Sequence, residues 1–374
     1  MKILLVINEF NAKTNGLSIS TERFYNEFKR LGADVRVLGG HQYGEVDYCL
    51  EKKSIHPFER IIEKQGYVFA KIDKKIIEEA VEWADIIHLE EPFFIQKATA
   101  KIAKKKGKII TGTFHLYPEN IISTIHMGHC RFINHCMMLW FRHMAYKYCD
   151  FIQCPTHNVY DRLESCNYSS KKMVITNGIT PERFITHKDK PEELKNKFII
   201  LSVGRFSVEK DQKTLLKALR YSKHESDILL IMAGQGPLGK KYLRMSKKLT
   251  NKPIMKFMKK EELMEITSYA DVIVHCADVE VEGMSLMESF AGGAVPIIAE
   301  ARLSATAQYA LTPNNKFKAR RPKILANRID YFFEHPSEVI DLRNKYQAWA
   351  EQLTVSKSAE TMLNIWQGLL DKRK

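Results

Sequence analysis

Residues 271–299 read DVIVHCADVEVEGMSLMESFAGGAVPIIA, and the order of elements in this stretch decides the fold class. Apolar runs at 271–276 and 294–299 have the length of strands, and residues 284–291 between them have the length of a helix. Runs rich in Val and Ile on either side of a helix are typical of strands buried on both faces of a parallel sheet. The stretch therefore predicts a strand–helix–strand unit.

The same alternation extends over most of the chain. Further strands are predicted at 2–7, 34–38, 85–89, 108–114, 150–154, 172–176, 198–203, 227–233 and 254–258. Helices are predicted between them at 20–31, 74–83, 95–106, 213–222 and 261–270. After residue 299 the pattern predicts no more strands, only helices at 324–333, 338–352 and 358–370. The predicted fold class is therefore α/β with doubly wound parallel sheets.

One polar stretch, residues 179–197 (ITPERFITHKDKPEELKNK), interrupts the alternation. It contains two prolines and has no apolar period, so we interpret it as a linker between two domains, 1–180 and 181–355. We expect the last segment, 356–374, to form a helix that packs back on the N-terminal domain. Open α/β sheets bind ligands at the carboxyl ends of their strands, so we expect the site in a cleft between the two domains.

Composition narrows the classes of function. The 374 residues suit two domains, and 58 Lys and Arg against 44 Asp and Glu give a net charge of +14. That excess suits an acidic partner, namely a nucleotide phosphate, a nucleic acid or an anionic membrane face. No apolar run approaches the roughly 20 residues of a membrane span, and the first residues do not resemble a secretory signal. Seven cysteines without a CxxC pair are typical of reduced thiols, so we expect a cytoplasmic protein.

Two candidate site residues follow predicted strands in the N-terminal half. Gly16 precedes a helix after strand 2–7, where a residue without a side chain lets the backbone approach a bound group. His115 follows strand 108–114, with Glu119 close in sequence, and its imidazole can donate to a sugar hydroxyl or a phosphate oxygen. An ordinary turn and a structural histidine are the alternatives. The Gly-x-Gly-x-x-Gly fingerprint is absent, which disfavours a nicotinamide enzyme.

Two loops in the C-terminal half favour a site for phosphate. Arg205 and Lys210 follow strand 198–203, and two cations there can hold a diphosphate and stabilise the charge that develops when it leaves. A solvated basic loop is the alternative. Gly234 and Gly236 follow strand 227–233 in a tight turn that would leave backbone room for a nucleotide.

Two glutamates frame the start of the helix at 284–291. Glu280 lies in the loop before it and Glu288 about one turn inside it, and carboxylates are suited to accept hydrogen bonds from vicinal hydroxyls. A solvated helix face is the alternative, although an unpaired carboxylate on a buried helix is costly. The amino end of the helix also offers backbone N–H groups to a phosphate. These N–H groups belong to Gly283, Met284, Ser285 and Leu286.

These motifs together resemble the family-4 ("group 1") retaining glycosyltransferases with the GT-B fold. Glu280 and Glu288 match the Glu-x7-Glu element of that family, and residues 291–296 (AGGAVP) follow it as the start of a strand. Gly204-Arg205 with Lys210, Gly234-x-Gly236-Pro237, and 174–178 (VITNG) occur in the order of the family. The resemblance spans nearly the whole chain and implies two Rossmann-like domains that face a central cleft.

The resemblance implies a role for each candidate residue. Glu280 would contact hydroxyls of the donor sugar and Glu288 the ribose of a nucleoside diphosphate. Arg205 and Lys210 would hold the diphosphate together with the amides at 283–286. His115 would approach the transferred sugar, and Gly16 would lie under the phosphates. The N-terminal domain would bind the acceptor, and the C-terminal domain the nucleotide sugar.

The implied reaction is transfer of a hexose with retained anomeric configuration, in which the leaving diphosphate helps to deprotonate the acceptor. The sequence contains no Asp-x-Asp motif, so we expect neither a metal nor another cofactor. Val281 and Glu282 stand where the family usually carries Gly and an aromatic residue, and 256–258 (KFM) lacks its customary Gly. The sugar and the base therefore stay open, with a UDP-sugar favoured.

Residues 131–148 (RFINHCMMLWFRHMAYKY) bear on the acceptor. Mixed apolar and basic residues suit a helix that lies on an anionic membrane, and a core helix is the alternative. Segments 304–311 and 115–120 resemble bacterial enzymes that build surface glycans or glycolipids, so a glycan, a lipid or a lipid-linked acceptor is expected. Nearby His and Cys residues match no standard zinc spacing. They are His126, His129, Cys130, His135, Cys136 and His143.

Two other functions are compatible with parts of the sequence. A nucleotide-sugar epimerase could use the same two-domain fold. A nucleic-acid-binding protein would suit the basic charge, but no basic run is interleaved with aromatic residues, so we expect no nucleic-acid partner.

Overall fold

The computed structural model describes residues 1–12, 16–40, 44–54, 67–122 and 130–373. The chain divides into two compact units, Met1–Gly178 with Val355–Lys374, and Ile179–Thr354. The predicted boundaries after residues 180 and 355 lie within two residues of this division. Among the residues that the structure describes, no helix combines the length and the apolar character that crossing a membrane requires.

The first unit is built on a parallel sheet. Its strands are β1 (Lys2–Glu9), β2 (Asp34–Gly40), β3 (Tyr48–Leu50), β4 (Lys52–Lys53), β5 (Phe69–Ala70), β6 (Ile86–Leu89), β7 (Ile109–Thr113), β8 (Phe151–Cys154) and β9 (Lys171–Val174). Seven of them form the main sheet in the order β3-β2-β1-β6-β7-β8-β9, while β4 and β5 form a small antiparallel pair. The order reverses between β1 and β6, so the carboxyl ends of these two strands flank the position where such sheets bind ligands.

The helices of this unit each bury apolar side chains. They are α1 (Gly16–Arg30), α2 (Lys74–Trp83), α3 (Phe94–Lys105), α4 (Pro118–Ile122), α5 (Arg131–Met144) and α6 (His157–Ser165). The C-terminal helix, Val355–Asp371, also belongs to this unit. Its Trp366 is fully buried, with its ring centroid 5.0 Å from that of Phe28 on α1. The last helix therefore packs on α1 through a large apolar contact.

The second unit has its own parallel sheet. Its strands are β10 (Phe198–Val203), β11 (Ile228–Ala233), β12 (Ile254–Lys256), β13 (Val272–His275), β14 (Val279–Glu280), β15 (Val295–Glu300), β16 (Leu303–Ser304) and β17 (Lys316–Lys318). Six of them pair in the order β12-β11-β10-β13-β15-β17, and β14 pairs with β16. The order reverses between β10 and β13. The prediction of doubly wound α/β domains is confirmed.

The helices of the second unit alternate with these strands. They are α7 (Gln212–Leu219), α8 (Gly239–Ser246), α9 (Lys260–Tyr269), α10 (Met284–Ala291), α11 (Pro322–Glu334) and α12 (Pro336–Ala350). The stretch interpreted as a linker forms two short 3-10 turns, Pro181–Arg183 and Glu192–Leu194, and belongs to this unit. The interpretation of 179–197 as a linker between the domains is therefore wrong, since the boundary lies at its first residue.

The ends of the predicted strands lie within two residues of the observed ends. The expectation that no strand follows residue 299 is wrong, because β16 and β17 do so. β17 has only three residues, Lys-Phe-Lys, of which Phe317 alone is buried. A short edge strand with one buried side chain has no apolar run to mark it in the sequence.

Candidate functional site

Predicted site residues of the second unit gather where its sheet reverses order. The loop after β10 contains Arg205, which is exposed, and Lys210, which is partly buried. The loop after β13 contains Glu280 and leads into α10. Because β10 and β13 are neighbours in the sheet, residues from loops about 70 positions apart in sequence meet at one edge.

Lys210 and Glu280 form an ion pair in which Lys210 Nζ donates to Glu280 Oε2. His275, the last residue of β13, places Nε2 3.4 Å from the same oxygen. Burial by itself raises the pKa of the Glu280 carboxyl, but Lys210 and His275 outweigh it and hold that pKa at about 2. Glu280 is therefore ionised at neutral pH, and the edge holds a fixed cation beside a fixed hydrogen-bond acceptor.

The amino end of α10 follows directly. Gly283 has φ +87°, a conformation that glycine adopts without strain, and a Cβ there would lie 2.5 Å from Thr306 Cγ2. The amide of Leu286 donates to the Gly283 carbonyl at 2.9 Å. The expectation that Leu286 offers its amide to a phosphate is thus not supported, because that N–H is used within the turn. Gly283, Met284 and Ser285 stay as candidates at this helix end.

Glu288 lies one turn further along α10 and forms an ion pair that the sequence analysis missed. Arg183, at the end of the turn Pro181–Arg183, places Nη2 3.1 Å from Glu288 Oε2. An open pocket adjoins the pair. It is lined by Arg183, Ile185, Leu263, Met264, Thr267, Ser285, Glu288 and Ser289. Arg183 stands in the stretch interpreted as a linker, and no local pattern distinguishes it from the other basic residues there.

The structure shows a packing role for the two glycines after β11 that the sequence analysis did not predict. A Cβ at Gly234 would lie 2.0 Å from the Gly204 carbonyl oxygen, and one at Gly236 would lie 2.6 Å from the Phe206 carbonyl oxygen. The Phe206 amide in turn donates to the Gln235 carbonyl at 3.0 Å. These glycines therefore make room for the loop that contains Arg205, and a contact between Gly234 and the nucleotide stays a prediction.

We expect Gly234→Ala to lower the free energy of unfolding by about 1–3 kcal/mol, because the new Cβ forces the neighbouring loop to move. Thermal denaturation measures the effect. Gly368→Ala is the control, since a Cβ at that helical position meets no atom within 4 Å. A Gly234→Ala protein that melts at the wild-type temperature would contradict the proposed packing role.

In the first unit, Gly16 and His115 follow the carboxyl ends of strands. Gly16 is the exposed first residue of α1, and His115 follows β7 with Nε2 2.9 Å from Glu90 Oε2. Burial raises the pKa of Glu90, but His88 and His115 outweigh it and lower that pKa overall. His115 is thus held beside a carboxylate. Glu119, expected beside His115, instead pairs with Arg162 at 2.7 Å.

Three glutamates lie at the carboxyl ends of β1 and β6, and the sequence analysis did not use them. Glu9 is the last residue of β1, and Glu90 and Glu91 follow β6. Burial raises the pKa of Glu9 to about 8 and that of Glu91 to about 7. Glu91 accepts hydrogen bonds from the side chains of Asn8 and Gln96. The carboxyl edge of the first sheet therefore holds Glu90, whose pKa is lowered, beside Glu9 and Glu91, whose pKa values are raised into the neutral range.

The predicted helix at 131–148 is α5, followed by a 3-10 turn, and α5 has one buried face and one exposed face with apolar side chains. Met138 and Phe141 are buried, as a core helix requires. On its other face, Phe132 is 76% and Trp140 39% exposed, and Leu139 is exposed between them. We call Phe132, Leu139 and Trp140 the α5 stripe.

The structure describes only some of the residues that could hold a metal ion. His126 and His129 of the histidine–cysteine cluster lie outside the described residues. Within the described ranges, no group of three or more His, Cys, Asp or Glu side chains is placed to hold a metal ion.

Comparison with known families covers both units. The model described as "Glycosyltransferase Family 4" matches residues 14–183, and the one described as "Glycosyl transferases group 1" matches residues 184–352. A search of curated protein sequences finds no match.

Solved structures with the same fold cover nearly the whole chain. Anabaena Alr3699/HepE in complex with UDP-glucose is 15% identical, with a TM-score of 0.74 over 98% of this chain and 100% of that chain. Sucrose-phosphate synthase from Thermosynechococcus elongatus is 14% identical, with a TM-score of 0.76 over 99% of each chain. A third solved structure matches only part of this chain. It is the catalytic domain of cholesterol-alpha-glucosyltransferase from Helicobacter pylori, which is 38% identical, with a TM-score of 0.41 over 42% of this chain and 99% of that chain.

Proposed function

Since this chain belongs to the group 1 glycosyltransferases, we propose that it moves a hexose from a UDP-sugar to a glycan, lipid or lipid-linked acceptor, in the synthesis of bacterial surface polysaccharide or glycolipid. The observation that supports this best is the Lys210–Glu280 pair beside the amino end of α10, at the position where the second sheet reverses order. HepE, which shares the fold, binds UDP-glucose, and this favours a UDP-sugar as donor.

Different charged groups of the second unit bind different parts of the donor. Lys210 and Arg205 attract the diphosphate, and the N–H groups of Gly283, Met284 and Ser285 add the positive end of α10. Glu280, kept ionised by Lys210, accepts hydrogen bonds from the sugar hydroxyls. Glu288 accepts them from the ribose. When the diphosphate binds, Lys210 exchanges part of its contact with Glu280 for the phosphate.

The proposed transfer retains the anomeric configuration. The bond from the anomeric carbon to the diphosphate oxygen breaks, and the acceptor oxygen forms a bond on the same face. The acceptor proton passes to the leaving diphosphate, whose growing charge Lys210 and Arg205 stabilise. With two cations and a helix end at the diphosphate, we propose that the reaction uses neither a metal nor another cofactor.

Roles also follow for the first unit. We propose that His115, which is held by Glu90, contacts the transferred sugar. We propose that Gly16 lies under the phosphates, where its lack of a side chain leaves room for them. We assign the acceptor to the carboxyl edge of this sheet.

The α5 stripe supports the proposal that the protein binds to the cytoplasmic face of an anionic membrane. Three exposed apolar side chains on one helix are suited to the interfacial region of a bilayer, and exposed Arg131 and Lys147 are suited to anionic headgroups. A lipid or lipid-linked acceptor would then lie next to the enzyme.

We expect the wild-type protein to sediment with phosphatidylglycerol vesicles, and Phe132→Ser with Trp140→Ser to weaken that binding by about tenfold or more, because two apolar side chains no longer enter the bilayer. Phe257→Ser is the matched control, since Phe257 is 57% exposed but lies in the second unit. Equal sedimentation of the double variant and the wild type would show that the α5 stripe does not contact the membrane.

A nucleotide-release assay tests the donor and the reaction. UDP-, GDP- and ADP-sugars are each incubated with the protein, with and without bacterial lipid extract. We expect release of UDP that depends on the extract, and a product whose anomeric proton coupling matches that of the donor. Conversion of the sugar without release of nucleotide would instead indicate an epimerase, and an inverted product would exclude retention.

A further inference from the structure

Arg183 and Glu288 form an ion pair beside a pocket that both side chains line. We propose that Arg183 is a positioning residue, which holds Glu288 against the ribose and makes the second unit select ribonucleotide donors over 2′-deoxyribonucleotide donors. This inference rests on the proposed function, and it names the feature of the donor that the pair recognises.

The backbone that presents Arg183 is held in place. The Arg183 amide donates to the Thr180 carbonyl at 3.0 Å, and the neighbouring Glu182 accepts from Lys260 Nζ at 2.8 Å, at the start of α9. The turn is thus tied to α9 while the guanidinium reaches Glu288 on α10. A rigid turn of this kind limits the positions available to the Glu288 carboxylate.

The pair lies largely out of water. The side chain of Arg183 is 13% exposed and that of Glu288 11%. The carboxylate of Glu288 can accept hydrogen bonds, and the guanidinium of Arg183 can only donate them. A single guanidinium nitrogen, Nη2, forms the ion pair at 3.1 Å. Arg183 Nε is buried and has no hydrogen-bond partner among the described residues.

A guanidinium and a carboxylate that line one pocket match the chemistry of a hydroxyl group. A hydroxyl can donate to the carboxylate and accept from the guanidinium at the same time. The vicinal hydroxyls of a ribose supply such groups to the pocket that both residues line. A donor that lacks the 2′-hydroxyl leaves the charged pair poorly solvated, which costs about 10–100-fold in affinity.

Isothermal titration calorimetry with UDP and 2′-deoxy-UDP tests this role in the full chain. We expect the wild type to prefer UDP by about tenfold or more, and Arg183→Gln to reduce that preference to within about threefold. Arg183→Lys keeps the charge without the planar fork and should give an intermediate ratio. Lys195→Gln is the matched control, because it removes an exposed cation that pairs with Glu192 in the same stretch of chain and should keep the wild-type ratio.

The ratio of the two affinities separates positioning from a structural role. An Arg183→Gln protein that binds both nucleotides more weakly but keeps the wild-type ratio would overturn the inference. If that variant does not fold, a wild-type ratio in Arg183→Lys would overturn it equally. A wild type that binds both nucleotides alike overturns the inference and leaves the proposed donor intact, whereas a wild type that binds no UDP overturns the proposed donor itself.

Discussion

Replacing Lys210 with alanine is expected to lower kcat about 10²–10³-fold, because the variant loses the cation that we propose stabilises the leaving diphosphate. The loss should appear in kcat as well as in kcat/KM, since the charge on the diphosphate grows mainly in the transition state. Single-turnover measurement of UDP release reports the effect directly. Lys217→Ala is the control, because Lys217 is an exposed cation on α7, after the same loop.

The Lys210→Ala variant should also change the pH dependence. Lys210 helps to hold the pKa of Glu280 at about 2, below its ordinary value of 4.5. The pair therefore stabilises the folded protein above pH 4.5, and this contribution is lost as the pH falls toward 2. Without Lys210, Glu280 should take up its proton at a higher pH, so the acid limb of the activity profile should shift upward. Wild-type turnover with an unchanged acid limb would end the assignment of Lys210.

Replacing Glu288 with alanine is expected to lower kcat/KM about 100-fold, because the variant loses the carboxylate that we propose accepts hydrogen bonds from the ribose. The variant also leaves the Arg183 guanidinium without its carboxylate in a poorly hydrated pocket, so a lower melting temperature is expected. Glu288→Gln separates the two effects, since it keeps the shape of the side chain and loses its charge.

The control for Glu288→Ala is Glu300→Ala, which breaks an exposed ion pair with Lys316. Exposed pairs of this kind contribute about 0–1 kcal/mol, so activity and melting temperature should change little. Steady-state kinetics with the donor varied gives KM and kcat separately. A Glu288→Ala enzyme with wild-type kcat/KM would show that the ribose is recognised elsewhere.

Much of the fold could be predicted because parallel strands buried on both faces leave continuous apolar runs. The strand at Phe198–Val203 and the helices at Lys74–Trp83 and Met284–Ala291 have the predicted bounds. The edge strand Lys316–Lys318 could not be predicted, because it buries only one side chain, Phe317, and pairs with β15 at the edge of the sheet.

The sequence by itself determined which residue types stand after the strands: Arg205 and Lys210 after one, Glu280 and Glu288 after another. Only the tertiary structure decided which of them meet. It pairs Lys210 with Glu280, Arg183 with Glu288, and His115 with Glu90 rather than the nearby Glu119. The physical reason is that the ends of a strand depend on local burial, and the spacing of apolar residues in the sequence reflects that burial. A side-chain contact depends on which strands become neighbours in the sheet, and the parallel crossovers join residues far apart in the chain.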